Sequence, residues 1–241
     1  MQPSRGDGAG VVLASSFGCR KRWGFKARPL EAVGPMHRAT ERREPEVQAW
    51  LESDYPAIAE RAKTEKAEIH WGDETGLSNQ ANYGRSFAPK GKTPVIRRKA
   101  KRFSQSMISS LTNRGRLRFM VYDGALNARI FLRFLKRLVQ GAAKKVFLIV
   151  DNLKVHKAKI VTAWIEANKD QIELFCLPAY APEHNPDEFV NNDVKQSIAR
   201  RQAPGSKDEL KSNLVSYMRS LQKRPAKVRT FFQPPTVRHA A

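Results

Sequence analysis

Residues 146–150, Val-Phe-Leu-Ile-Val, form an unbroken run of strand-forming apolar side chains that ends on a carboxylate, Asp151. A strand that is apolar on both faces has to be covered on both, so it belongs in the middle of a sheet with helices packed on either side. The neighbouring segments agree. Upstream, 68–74 (EIHWGDE), 105–112 (QSMISSLT) and 116–124 (RLRFMVYDG) read as strands, the last two as a hairpin around Asn113-Arg114-Gly115. Ile130, Phe131, Phe134, Leu135, Leu138 and Val139 then recur at helical spacing. After the central strand, Ile160, Val161, Trp164 and Ile165 mark a second helix, and 172–178 (IELFCLP) is another buried strand ended by Pro178. Val190, Val194 and Ile198 mark a third helix; Leu210, Leu214, Tyr217 and Leu221 mark a fourth. Three strands, helix, strand, helix, strand, helix predicts an α/β fold with a mixed sheet flanked by helices on both faces. Ahead of it, Val47, Trp50 and Leu51 share one helical face, and Asp54-Tyr55-Pro56 is expected to break and restart that helix.

Charge narrows the partner. Lys and Arg number 44 against 23 Asp and Glu, a formal net charge of +21. Such a field attracts polyanions, of which nucleic acid is the commonest, with a generic basic protein as the bland alternative. Residues 1–44 are basic and poor in periodic signal, and 19–30 (CRKRWGFKARPL) interleaves basic and aromatic residues. Lys90, Lys92, Arg97, Arg98, Lys99, Lys101 and Arg102 form a basic run suited to backbone phosphates, or to a solvated loop. Two distant cysteines, Cys19 and Cys176, suggest neither a disulfide framework nor a Cys-rich zinc site. No apolar stretch approaches the roughly 20 residues that span a bilayer. A cytoplasmic, nucleoid-associated protein is the expectation.

Against this positive background three carboxylates stand out. Asp73 lies near the end of the first strand, Asp151 ends the apolar strand, and Glu188 opens a helix after the loop LPAYAPEHNP. Side chains at strand ends project where open α/β sheets place ligands. Clustered carboxylates repel one another unless a cation neutralises them, and hard oxygen donors suit Mg²⁺ or Mn²⁺. Two such ions about 4 Å apart activate a water and stabilise the leaving oxygen of a phosphodiester. Singly, each acid is more often a turn former or a helix-terminal charge.

The segments IHWGDETGL, YGRSFAPKGKTPV, VYDGALNARIFLRFLKRL, FLIVDNLKVHKA and LPAYAPEHNPDEFVNNDVK resemble the insertion-sequence transposases of the Tc/mariner superfamily, specifically the insertion sequence six-thirty family, over residues 45–240. The 37 positions from Asp151 to Glu188 (188 − 151) are close to the spacing of that family's second and third acids. The resemblance implies an RNase H-like DDE catalytic domain at 45–225, with Asp73, Asp151 and Glu188 as its catalytic and metal-binding triad and two Mg²⁺ or Mn²⁺ ions. It implies a homodimer on double-stranded DNA that cleaves transposon ends and transfers the 3′-hydroxyl to target DNA. It makes 1–44 the remnant of a DNA-binding module, truncated at its start, and 226–241 a C-terminal tail. Glu74 accompanies the first acid without being the expected ligand, Asp187 is set aside as a non-ligand, and Asp123 as a turn residue. His156 is expected at the site rim, on DNA phosphate, or at a helix terminus. His184 stands where relatives often carry Leu, so no role is expected for it. Asn152 and Asn185 are candidates for supporting hydrogen bonds. A remnant that binds DNA non-specifically without transposing is the alternative.

Overall fold

The computed structural model describes residues 43–79, 102–199 and 204–241, all within one compact unit. A five-stranded sheet has the order β3-β2-β1-β4-β5, with β1 Glu68–Ser78, β2 Ser104–Leu111, β3 Leu117–Tyr122, β4 Val146–Val150 and β5 Ile172–Cys176. β1, β2 and β3 pair antiparallel, whereas β4 lies parallel to β1 and to β5. The apolar run is therefore central. Val146, Leu148 and Val150 face a layer built from α3 (Ala128–Gln140) and α4 (Lys159–Glu166). Phe147 and Ile149 face the opposite layer, to which α1 (Glu44–Ala49), α2 (Tyr55–Thr64), α5 (Pro186–Ala199), α6 (Lys207–Gln222) and α7 (Pro225–Thr230) belong. All five β4 side chains are essentially inaccessible, which is the physical content of the unbroken run.

The mixed sheet and its two helical layers agree with the RNase H-like class, and three details depart from expectation. β1 runs four residues beyond Glu74, because Thr75–Ser78 continue the antiparallel ladder with Met107–Ser104 after the parallel pairing with β4 has ended. The first helix is not broken at Pro56. Residues Trp50–Asp54 form a π-turn in which the Tyr55 N–H reaches back to the Trp50 carbonyl, and the chain stays helical into α2. Widening the ladder by one residue accommodates a proline that has no N–H to donate.

Residues 226–241, expected as a tail, are a structural part of the domain. Val228, Phe231, Phe232, Val237 and Ala240 are buried, in α7 and in a final 3-10 turn, Pro235–Ala240. The start of α7 packs on the β2–β3 turn, where Gly115 has φ +89° and a side-chain carbon would meet the Pro225 carbonyl oxygen at 2.6 Å. Only glycine satisfies both demands there. Among the described residues no helix is long and apolar enough to cross a membrane.

Phe147 is 0% exposed in the strand that holds the two layers together. Phe147→Ala is expected to lower stability by about 3–5 kcal/mol, read as a lower urea midpoint at unchanged slope; a loss under about 1 kcal/mol would mean that β4 is not the centre of the core.

Candidate metal centre

The parallel register pairs Trp71 with Ile149, so Asp73 and Asp151, each two residues further on, emerge at the same level of adjacent strands. α5 arrives above them. Asp73, Asp151 and Glu188 all line one cavity of about 410 Å³, walled on one side by Leu177–Pro182 and completed by Asn152, Leu153 and Asn185. The three acids selected from sequence are thus brought together.

A set of hydrogen bonds seats α5. Asn185 Nδ2 donates to the Gly72 carbonyl at 3.0 Å, while its Oδ1 accepts from the Asp187 N–H at 3.0 Å. Asp187 is fully buried and does not line the cavity, accepting from Ser109 Oγ at 2.9–3.0 Å through both oxygens. The start of α5 is thereby tied to β1 and β2 at once, which places Glu188, the next residue, toward the cavity. Asp187 is consequently a fastening and lies outside the cavity lining. Asn191, three residues after Glu188 and on the same helical face, donates from Nδ2 to Asp73 Oδ2 at 2.8 Å. The sequence reading missed Asn191; its signal was that spacing.

The electrostatics are those of acids crowded without counter-charge. Asp73 is pushed up to about 9, first by burial and then by the charges of Asp187, Glu188 and Glu74. Glu74 rises to about 7 through burial and the nearby Asp151. Burial raises Asp151 too, opposed by His156 and by a backbone hydrogen bond from Leu153. No Lys or Arg among the described residues forms an ion pair with Asp73, Asp151 or Glu188.

His156 is not at a rim open to DNA: it sits in the 3-10 turn Lys154–Lys157, 2% exposed, with Nδ1 donating to the Asp151 carbonyl at 2.9 Å. Burial lowers its pKa, opposed by the hydrogen bond to and the charge of Asp151. His184 has a structural part after all, donating from Nδ1 to the Thr236 carbonyl at 2.9 Å and joining the cavity loop to the chain's last turn. Asp123 ends its strand in an ion pair with Lys207 at 2.8 Å. Arg102 is exposed just ahead of β2; Lys90, Lys92, Arg97, Arg98, Lys99 and Lys101 lie outside the described residues. Tyr180, on the cavity wall, was not singled out from sequence. It is 56% exposed with φ +58°, a conformation that costs about 1–3 kcal/mol for a non-glycine residue and is found disproportionately at functional sites.

The family model described as DDE superfamily endonuclease matches residues 68–211. Solved structures with a similar fold include the Mos1 transposase paired-end complex with left transposon end, at 15% identity and a TM-score of 0.59, covering 89% of this chain and 68% of that one. The Mos1 mariner paired-end complex with Mn aligns at 14% identity and 0.61, covering 93% and 70%. The catalytic domain of Mos1 mariner transposase aligns at 14% and 0.53, covering 83% and 96%. A search of curated proteins finds no match.

A carboxyl whose folded pKa lies above its unfolded value binds its proton more tightly when folded. Its stabilising contribution is full below the unfolded pKa and fades as pH rises through the folded one. For Asp73 and Glu74 that window runs from about 4 to about 9. In chelator the thermal midpoint is expected to fall across it, and Mn²⁺ is expected to reduce the fall by neutralising the cluster. A midpoint that is flat in chelator would mean that these acids ionise as in water.

Proposed function

The chain belongs to the DDE superfamily of endonucleases, and from that premise we propose that it is a Tc/mariner-type transposase of the insertion sequence six-thirty group. Its reaction is cleavage of DNA at the ends of an insertion element, followed by transfer of the freed 3′-hydroxyl to target DNA. The observation that carries this reading is the level placement of Asp73 and Asp151 on adjacent parallel strands, with Glu188 lining the same cavity.

The donor set suits a hard divalent cation. Asp73, Asp151 and Glu188 offer carboxylate oxygens without a Lys or Arg partner among the described residues, and the buried Asp151 Oδ1 accepts no hydrogen bond, the His156 Nδ1 3.2 Å away being directed to the Asp151 carbonyl. These three residues would hold Mg²⁺ or Mn²⁺, and we assign two ions to them. Such ions, when bound, supply an activated oxygen nucleophile and charge stabilisation for the leaving oxygen of a phosphodiester.

The remaining tasks belong to the chain itself. Asn191 fixes one Asp73 oxygen, so that carboxylate is oriented before any ligand arrives. Asn185, Asp187 and Ser109 hold the start of α5, which fixes Glu188 at its height above the sheet. The segment Leu177–Pro182 walls the cavity on one side. Nucleophile and leaving group exchange in line, without a covalent enzyme intermediate. Lys90, Lys92, Arg97, Arg98, Lys99, Lys101 and Arg102, between β1 and β2, are assigned to backbone phosphates of double-stranded DNA, which carry no sequence information themselves. We assign the catalytic domain to residues 45–225 together with the packed segment 226–241, non-specific DNA contact to the basic segment 1–44, and the working assembly to a homodimer on two DNA ends.

The test is nicking and joining of a labelled duplex carrying the source element's end, in Mg²⁺ or Mn²⁺, by wild type and by Asp151→Ala. The variant is expected to lose on the order of 10²–10³-fold or more in rate while still binding DNA in a salt-sensitive way. Equal rates in the two proteins would remove Asp151 from the chemistry. Absence of nicking from a folded wild type that binds DNA would reject the transposase reading.

A further inference from the structure

Glu74 follows Asp73 along β1 and therefore leaves the strand on its other face. On that face lies the layer of α3 and α4, and there a second group of donors meets. One donor atom each from Glu74, Asp151 and His156 lies within 4.8 Å of the other two. The His156 side chain is 2% exposed and its ring rests 4.4 Å from that of Phe131. Glu74 Oε2, Asp151 Oδ1 and His156 Nε2 are all buried without a hydrogen-bond partner, Asp151 Oδ1 lying 3.2 Å from His156 Nδ1 but outside hydrogen-bond geometry.

Buried polar atoms are almost always paired, so three unpaired ones on residues whose donor atoms come within 4.8 Å of one another are far from the norm. With both carboxyls ionised, pairing them with one another does not resolve the matter, because the two carboxylates repel and only one imidazole proton is available. That proton is already committed: Nδ1 donates to the Asp151 carbonyl, leaving Nε2 as the nitrogen with a free lone pair. A ring N–H held by a backbone carbonyl is the arrangement that fixes the tautomer of a metal-ligating histidine. The ionised groups that act on Glu74 are themselves carboxylates, Asp151 and Glu188.

We propose that Glu74, Asp151 and His156 form a cation site on the α3 side of β1, for a divalent transition metal of the Mn²⁺ class, with Asp151 shared between it and the Asp73–Glu188 set. Two carboxylates and an imidazole make a donor set of intermediate softness. Mg²⁺ prefers oxygen ligands and retains its waters, whereas Mn²⁺ and Zn²⁺ accept a histidine nitrogen readily. The site therefore discriminates by metal, which the all-oxygen set of Asp73, Asp151 and Glu188 does not. The assignment needs only this geometry and does not rest on the transposase reading.

Pulsed electron paramagnetic resonance of the full chain loaded with Mn²⁺ reads the site directly, without reference to activity. Wild type is expected to show nitrogen coupling from one coordinated imidazole. His156→Gln is expected to abolish it, and Asp73→Asn to retain it. In parallel Mn²⁺ titrations, Glu74→Gln and His156→Gln are each expected to weaken one class of site at least about tenfold, the order found for losing a metal-site partner. Mg²⁺ is expected to displace Mn²⁺ poorly from that class. Absence of nitrogen coupling in wild type overturns the proposal whether or not the variants fold. So does coupling that survives His156→Gln, or titrations that Glu74→Gln and His156→Gln leave unchanged. Nitrogen coupling in a protein that nicks no DNA would support this site while rejecting the proposed function.

Discussion

Everything at the candidate centre depends on the parallel pairing of β1 with β4. Parallel strands in register carry equivalent residues at equal height, so the pairing of Trp71 with Ile149 delivers Asp73 and Asp151 to one end of the sheet together. That pairing is itself a consequence of hydrophobic burial. β4 is apolar on both faces and is stable only with a neighbour on each side and a helical layer above and below. Placing β4 between β1 and β5 meets that need and, by the same geometry, crowds two carboxylates where the β1–β4 ladder ends.

Crowding of that kind raises the free energy of the folded chain, and the sheet alone does not offset it. The surrounding structure fixes the acids by hydrogen bonds that reach across long stretches of sequence. Asn191 holds Asp73, and Ser109 holds Asp187, over separations of 118 and 78 residues. The second of these keeps α5 on the sheet at the point where Glu188 must stand. The outermost helices matter for the same reason. His184 connects the cavity loop to the 3-10 turn at Pro235–Ala240, whose own apolar residues are buried in the face that α5 and α6 cover. A site of three short side chains is thus supported by most of one layer of the domain.

The charge distribution has two parts that act at different ranges. The chain as a whole is strongly basic, which draws a polyanion from a distance in a salt-dependent way. The centre is locally acidic, with no Lys or Arg paired to Asp73, Asp151 or Glu188 among the described residues. Under the proposed function, a phosphodiester held by the first could not approach the second closely without cations between them, which would couple DNA and divalent metal as ligands.

The elements of the core were legible in the amino-acid sequence because each carries a local period: alternation or an unbroken apolar run for the strands, and 3.6-residue recurrence for α3, α4, α5 and α6. The positions of Asp73, Asp151 and Glu188 at two strand ends and a helix start were legible on the same ground. Where the period was short or proline intervened, the reading failed. The π-turn at Trp50–Asp54 and the buried segment after Pro225 depend on what lies against them, and no local pattern announces that. The division among the acids was likewise decided by packing. Asp187 and Glu188 are adjacent in sequence, yet one is sealed against Ser109 and the other faces the cavity. Asp73 and Glu74 are adjacent too, yet the pleat sends them to opposite faces, one to Asn191 and the other toward His156. Sequence determined which segments would be strands and helices, and where carboxylates would end them. Only the tertiary structure decided which carboxylates share a space, because that depends on contacts between residues far apart in the chain, which local periodicity does not encode.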